Sequence, residues 1–85
     1  MELGQVQEDY LEAIYILREK NGRVKCVHIA EYMERSKPTI LTAMKVLEEK
    51  GYIINDRHSL LLTEKGEKLA KRVHERHQYF KKLLM

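Results

Sequence analysis

Apolar residues recur with a helical period in several stretches of this chain, and the most sharply bounded stretch runs from Ser36 to Gly51, SKPTILTAMKVLEEKG. Ile40, Met44 and Leu47 stand at i, i+4 and i+7 and make an inward stripe, while Thr39, Leu41, Thr42 and Lys45 fall on the other side. Ser36 supplies an oxygen to cap unpaired amides, and Pro38, lacking an amide, fits only a first turn. Gly51 takes the left-handed conformation that ends a helix. Upstream, Val6, Tyr10, Ile14 and Leu17, widened by Leu11 and Ala13, predict a core helix over Gln5 to Lys20 that stops at Asn21-Gly22. Arg23 to Val27 favours β structure but is too short to stand alone, so it is expected to pair with strands further on. A short helix over His28 to Glu34 follows, with Ile29, Ala30 and Met33 inward; Val27 stands where a cap belongs, so its start is weakly marked. Arg35-Ser36-Lys37 is the turn into the central helix. Beyond that helix, Tyr52 to Ile54 reads as a strand, Asn55 to Ser59 as a polar turn and Leu60 to Leu62 as the return strand of a hairpin. Thr63 caps the last helix, with Glu64 in its first turn, and Leu69, Val73, His77, Phe80 and Leu84 run down one side.

A helix, a short turn, a longer helix with a polar outer face and then a hairpin predict a mostly α winged helix-turn-helix: a three-helix core, a β wing and a long C-terminal helix. One domain covers residues 1–85, with the helix-turn-helix and wing in 1–63 and a linking or dimerisation helix in 64–85. There is no internal repeat, low-complexity tract or linker. Hydroxyls, one leucine and a lysine make poor core but suit a DNA groove, where Thr hydrogen-bonds base edges and Leu touches a thymine methyl. The candidate DNA-contacting residues are Ser36, Lys37, Pro38, Thr39, Leu41, Thr42 and Lys45. Arg57 and His58 at the wing tip read either as phosphate or minor-groove contacts or as a merely soluble turn.

Composition narrows the function class. At 85 residues the chain is near the size at which one core becomes marginal, so tight helix packing or dimerisation is expected. The net charge of +3 is unevenly spread: residues 1–20 hold five acids against Arg18 and Lys20, and residues 60–85 hold seven bases against Glu64, Glu67 and Glu75. The bases Lys65, Lys68, Lys71, Arg72 and Arg76 read first as a solvated helix face. One cysteine, Cys26, excludes an internal disulfide and reads as a small buried hydrophobe; the cytoplasm is the expected compartment. No apolar run approaches the roughly 20 residues of a spanning helix, and MELGQVQEDY lacks the basic and apolar parts of a signal peptide, so no membrane association is expected. No nucleophile triad, phosphate loop or complete metal set is visible, and the chain is not expected to be an enzyme.

Five segments, EDYLEAIYIL, HIAEYMERSKPTI, KVLEEKGYI, LLLTEKGEKLA and the pair Arg76-His77, resemble the N-terminal half of the diphtheria toxin repressor family. That family comprises dimeric, iron- or manganese-activated transcription regulators. The resemblance spans nearly the whole chain and implies metal ligands at Asp9 and Glu12 in the first helix and at His77 in the last. On residue type alone, Asp9 and Glu12 are ordinary carboxylates, at i and i+3 on one helix face, and His77 is a core or interface histidine. Two carboxylates and an imidazole suit Mn²⁺ or Fe²⁺. Lys81 replaces the acid that the family usually has four residues after this histidine, and the family's remaining ligands belong to helices beyond Met85. The site is therefore partial, and metal is expected to bind weakly to this chain alone. His74, one turn before His77, reads as a surface residue.

The expected function is sequence-specific DNA binding in a metal-responsive transcriptional regulator, as a homodimer through the C-terminal helix on a palindromic operator. The alternative is a winged-helix interaction module without metal control, pairing with another protein or a full-length relative.

Overall fold

The computed structural model describes residues 4–84, with side-chain surroundings through residue 78. Its elements follow the order α1 (Gln5–Asn21), α2 (Cys26–Met33), α3 (Lys37–Glu49), β1 (Ile53–Asp56), β2 (Ser59–Leu62) and α4 (Glu64–Leu84). The core forms where the inner faces of α1, α2 and α3 meet the base of the hairpin and the first half of α4: Leu11, Ile14, Ile29, Ile40, Leu47 and Ile53 are at most 2% exposed. Such density lets so short a chain bury eight large side chains almost completely, which is how it meets the conformational entropy of folding. The architecture is the winged helix-turn-helix expected from the pattern.

The central helix has the expected ends. The Thr39 amide donates to Ser36 Oγ at 3.4 Å, and the Ser36 and Thr39 hydroxyls lie 2.8 Å apart. Ile40, Met44 and Leu47 are buried, and Gly51 adopts φ 83. Elsewhere the boundaries move. α2 starts at Cys26, two residues earlier than expected, because His28 supplies the missing cap: its Nδ1 accepts from the Lys25 amide at 3.1 Å, the place that Glu or Gln takes in a capping box. That early start shortens the predicted strand over Arg23 to Val27 to one antiparallel bridge, Lys25 to Ser59, reinforced by the Leu60 amide donating to Val24 O at 2.8 Å. Val6, placed on the core stripe by periodicity, is 56% exposed in the first turn of α1, and the buried apolar stripe begins at Tyr10.

In the wing, β1 and β2 pair antiparallel with Ile53 opposite Leu62 and Asp56 opposite Ser59. The turn is tighter than predicted, only Arg57 and His58, both left-handed at φ 52 and 70. That conformation fits the twist of a two-residue hairpin and usually falls to Asn-Gly or Gly-Gly. Ile54 and Leu61 pair on the exposed side of the ribbon.

Thr63 ties three elements together. Its hydroxyl accepts from the Gly66 amide at 3.1 Å and lies 2.7 Å from Gly51 O and 3.0 Å from Tyr52 O. The Thr63 amide donates to Tyr52 O at 3.0 Å. Gly66 is buried in the first turn of α4 so close to the Tyr52 carbonyl that a Cβ would overlap it. The end of α3, the start of β1 and the start of α4 thus meet at one point.

Candidate functional site

Two sets of predicted residues take up separate regions. The first is the outer face of α3. Ser36, Lys37, Pro38, Thr39, Leu41, Thr42 and Lys45 are all exposed, Leu41 to 48%. Thr42 Oγ1 donates to Pro38 O at 3.1 Å, which leaves its lone pairs facing outward as acceptors. Lys37, Leu41 and His58 line one hollow of about 450 Å³ between α3 and the wing, together with Lys25, Cys26, Val27 and Asn55. Arg57 is not part of it: it lines a hollow with Arg23 and Asp56 beside the wing. The two wing-tip residues are therefore separated by the turn, and only His58 joins the α3 face. Burial pushes the Cys26 thiol above the ordinary range for cysteine, opposed by the positive charge of Lys37.

The second region is the seam between α1 and α4. Asp9, Glu12 and His77 each offer a ligand atom, and these atoms lie within 4.8 Å of one another. Helical spacing puts Asp9 and Glu12 on one face of α1, and the antiparallel run of α4 brings His77 opposite them. Glu12 is also the hub of two hydrogen bonds: His77 Nδ1 donates to Oε1 at 2.7 Å and His74 Nδ1 to Oε2 at 3.1 Å. The surface position expected for His74 is thus corrected. Its side chain is 28% exposed, against 43% for His77, because α1 lies over it and Tyr15 contacts its ring. The i, i+3 spacing of the two histidines was the available signal, since it places both on one helix face. His77, expected on the apolar stripe, stands instead at the exposed margin of the seam.

The rest of the seam is ionic. Arg18 pairs with Glu67 at 2.8 Å, and that hydrogen bond raises the arginine pKa above its already high value, partly offset by burial. Arg76 lies 3.7 Å from Glu8, which is only 4% exposed; Glu8 Oε2 has no hydrogen-bond partner among the described residues. Nothing in the sequence separates this buried acid from the half-buried Asp9 and Glu12 except its place one turn before Glu12.

The family described as iron dependent repressor, N-terminal DNA binding domain, matches residues 2–59, more than half of the chain. The chain belongs to this family. It is 38% identical over 72 residues to the HTH-type transcriptional regulator MntR of Shouchella clausii (strain KSM-K16), covering 84% of this chain and 50% of that one. The Bacillus subtilis (strain 168) protein of the same name is 33% identical over 78 residues, covering 91% and 55%. The chain spans about half the length of these relatives. Among solved structures it resembles ScaR with bound Zn²⁺, with a TM-score of 0.72, 33% identity and coverage of 84% of this chain and 33% of that one. The S. aureus MepR–DNA complex, at TM-score 0.76, 22% identity and coverage of 98% and 63%, shows the shared winged-helix fold.

Proposed function

We propose that the chain is the DNA-binding half of a metal-dependent transcriptional regulator. The carrying observation is the outer face of α3, where Thr39, Leu41, Thr42 and Lys45 are exposed beside the buried Ile40 and Met44 that fix the helix in the core. In this reading α3 enters the major groove, where the Thr42 lone pairs and the Leu41 side chain meet base edges. Ser36, Lys37 and Lys45, with His58 from the wing, hold register through phosphates. Arg57 reaches the backbone on the other side of the wing.

Asp9, Glu12 and His77 fit a divalent ion of the Mn²⁺ or Fe²⁺ kind: two oxygens and one nitrogen are already within 4.8 Å, and two helices supply them. Asp9 and Glu12 from α1 and His77 from α4 would hold such an ion, whose positive charge would offset the repulsion of the two carboxylates and link the two helices. Three protein groups make a partial ligand set, so this chain alone would hold the ion weakly. The protein's relatives carry names of transcriptional regulators, and the working unit in this reading is a homodimer on a palindromic operator, joined through the linking helix over 64–85.

Fluorescence anisotropy with a palindromic duplex, across a salt series and with and without Mn²⁺, tests the proposal. Binding whose logarithm falls steeply with the logarithm of salt is the expected result, because neutralised phosphates release counterions. Binding that is absent, or indifferent to salt, overturns it in favour of a protein-pairing module.

A further inference from the structure

We infer that His74 is a positioning residue for the cation site: from outside the ligand cluster it holds Glu12 Oε2, so that Glu12 presents Oε1 to the ion. This rests on the reading of Asp9, Glu12 and His77 as the ligands. Two imidazoles three residues apart on α4 share one carboxylate, one to each oxygen, at 3.1 Å for His74 and 2.7 Å for His77. They are not equivalent. Among the described residues only His77 joins Asp9 and Glu12 in a group whose ligand atoms all come within 4.8 Å, and His74 belongs to no such group.

What His74 has instead is support from behind. Its ring centroid lies 5.4 Å from that of Tyr15, tilted at 44°. The Arg18 guanidinium sits over the Tyr15 ring at 5.4 Å and is itself tied to Glu67 at 2.8 Å. A line of contacts therefore runs along the seam from Glu67 through Arg18 and Tyr15 to His74 and ends on Glu12. The Glu12 side chain is 13% exposed, so its carboxylate has little water to orient it and takes its orientation from these imidazoles. A ring fixed on one face with its N–H aimed at a ligand carboxylate is the arrangement that orients metal ligands from the outer shell, and losing such a partner typically costs 10- to 100-fold in affinity. The physical reason is rotamer freedom: a glutamate already held has less of it to lose when the ion arrives.

Manganese binding to the full chain, followed by loss of the free-ion EPR signal, tests the inference with wild type, His74→Ala, His74→Gln and His77→Ala. His74→Ala is expected to weaken binding by about 10- to 100-fold without changing stoichiometry. His74→Gln, which keeps an N–H donor, recovers part of the loss. Electron spin echo modulation of bound Mn²⁺ shows one directly bound imidazole in wild type and the same one in His74→Ala. Should His74→Ala melt below the assay temperature, His74→Leu against His74→Gln makes the same comparison, since both fill the space and only Gln donates. Wild-type affinity in His74→Ala, together with loss in His77→Ala, overturns the inference and leaves the ligand reading standing. Two bound imidazoles in wild type that fall to one in His74→Ala also overturn it, making His74 a ligand. Equal binding by wild type and His77→Ala removes the ligand reading itself, and the inference with it.

Discussion

Single residues decide how closely the elements approach. Gly66 lies inside a helix, where alanine normally stabilises by up to about 1 kcal/mol, yet its missing Cβ is what lets α4 start against the Tyr52 carbonyl. Gly66→Ala should therefore destabilise, by about 1 to 3 kcal/mol as an overpacked contact, and thermal denaturation shows the sign directly. Cys26 gives a second test at this scale. Burial holds its thiol above the ordinary range, so less thiolate is present near neutral pH, and Lys37 works in the opposite sense. Alkylation by iodoacetamide at pH 8 should be slower in the folded chain than in urea, and slower still in Lys37→Ala. The reactivity of the folded chain should go on rising at pH values where that of the unfolded chain has levelled.

Most elements are legible in the sequence, and the failures have two causes, one local and one tertiary. α3 was bounded correctly by Ser36 and Gly51 because both signals are local: a side chain capping its own helix, and a residue free to adopt positive φ. The start of α2 was misplaced because its cap comes from a histidine reaching back three residues, which is an uncommon use of that side chain. The strand over Arg23 to Val27 shrank to a bridge, and Val6 came out exposed, for tertiary reasons that periodicity cannot carry. The site divides in the same way. Asp9, Glu12 and His77 were singled out by resemblance, whereas the closeness of His74 to Glu12 depends on how α4 lies on α1. Thr42→Ala and Lys45→Ala should weaken operator binding with little change in melting temperature, since both side chains are exposed. A base contact is worth about 1 to 3 kcal/mol, whereas a phosphate contact lowers the salt slope by about 1. In the wing, the double change Arg57→Asn and His58→Gly should raise stability by about 1 kcal/mol or more, because left-handed backbone is costly for arginine and histidine. The same change should loosen DNA binding, and parallel denaturation and anisotropy measurements check both halves.

In the whole molecule α4 runs on past the core that buries its first half. Its last buried side chain among those described is Val73, and His74 to Gln78 are half-buried or exposed. Phe80 and Leu84, expected on the apolar side of this helix, lie outside the residues whose side chains are described. Sedimentation velocity should show a dimer forming in the high micromolar range and its loss in Phe80→Asp/Leu84→Asp; a wild type that stays monomeric there rules out this helix as a sufficient interface. The junction at Thr63 and Gly66 gives such a contact a mechanical meaning. Twenty-one residues at 1.5 Å each make α4 a rod of about 31 Å, clamped at its base to the strand and helix that carry the proposed DNA-binding surface. A tilt of about 5° at that clamp displaces the far tip by about 3 Å, comparable to the rise of two helical residues. On the proposed reading α4 is a lever whose short arm is α3 and the wing: a partner gripping its tip would set the pitch of that surface finely, and any small rotation of the surface would arrive at the tip magnified.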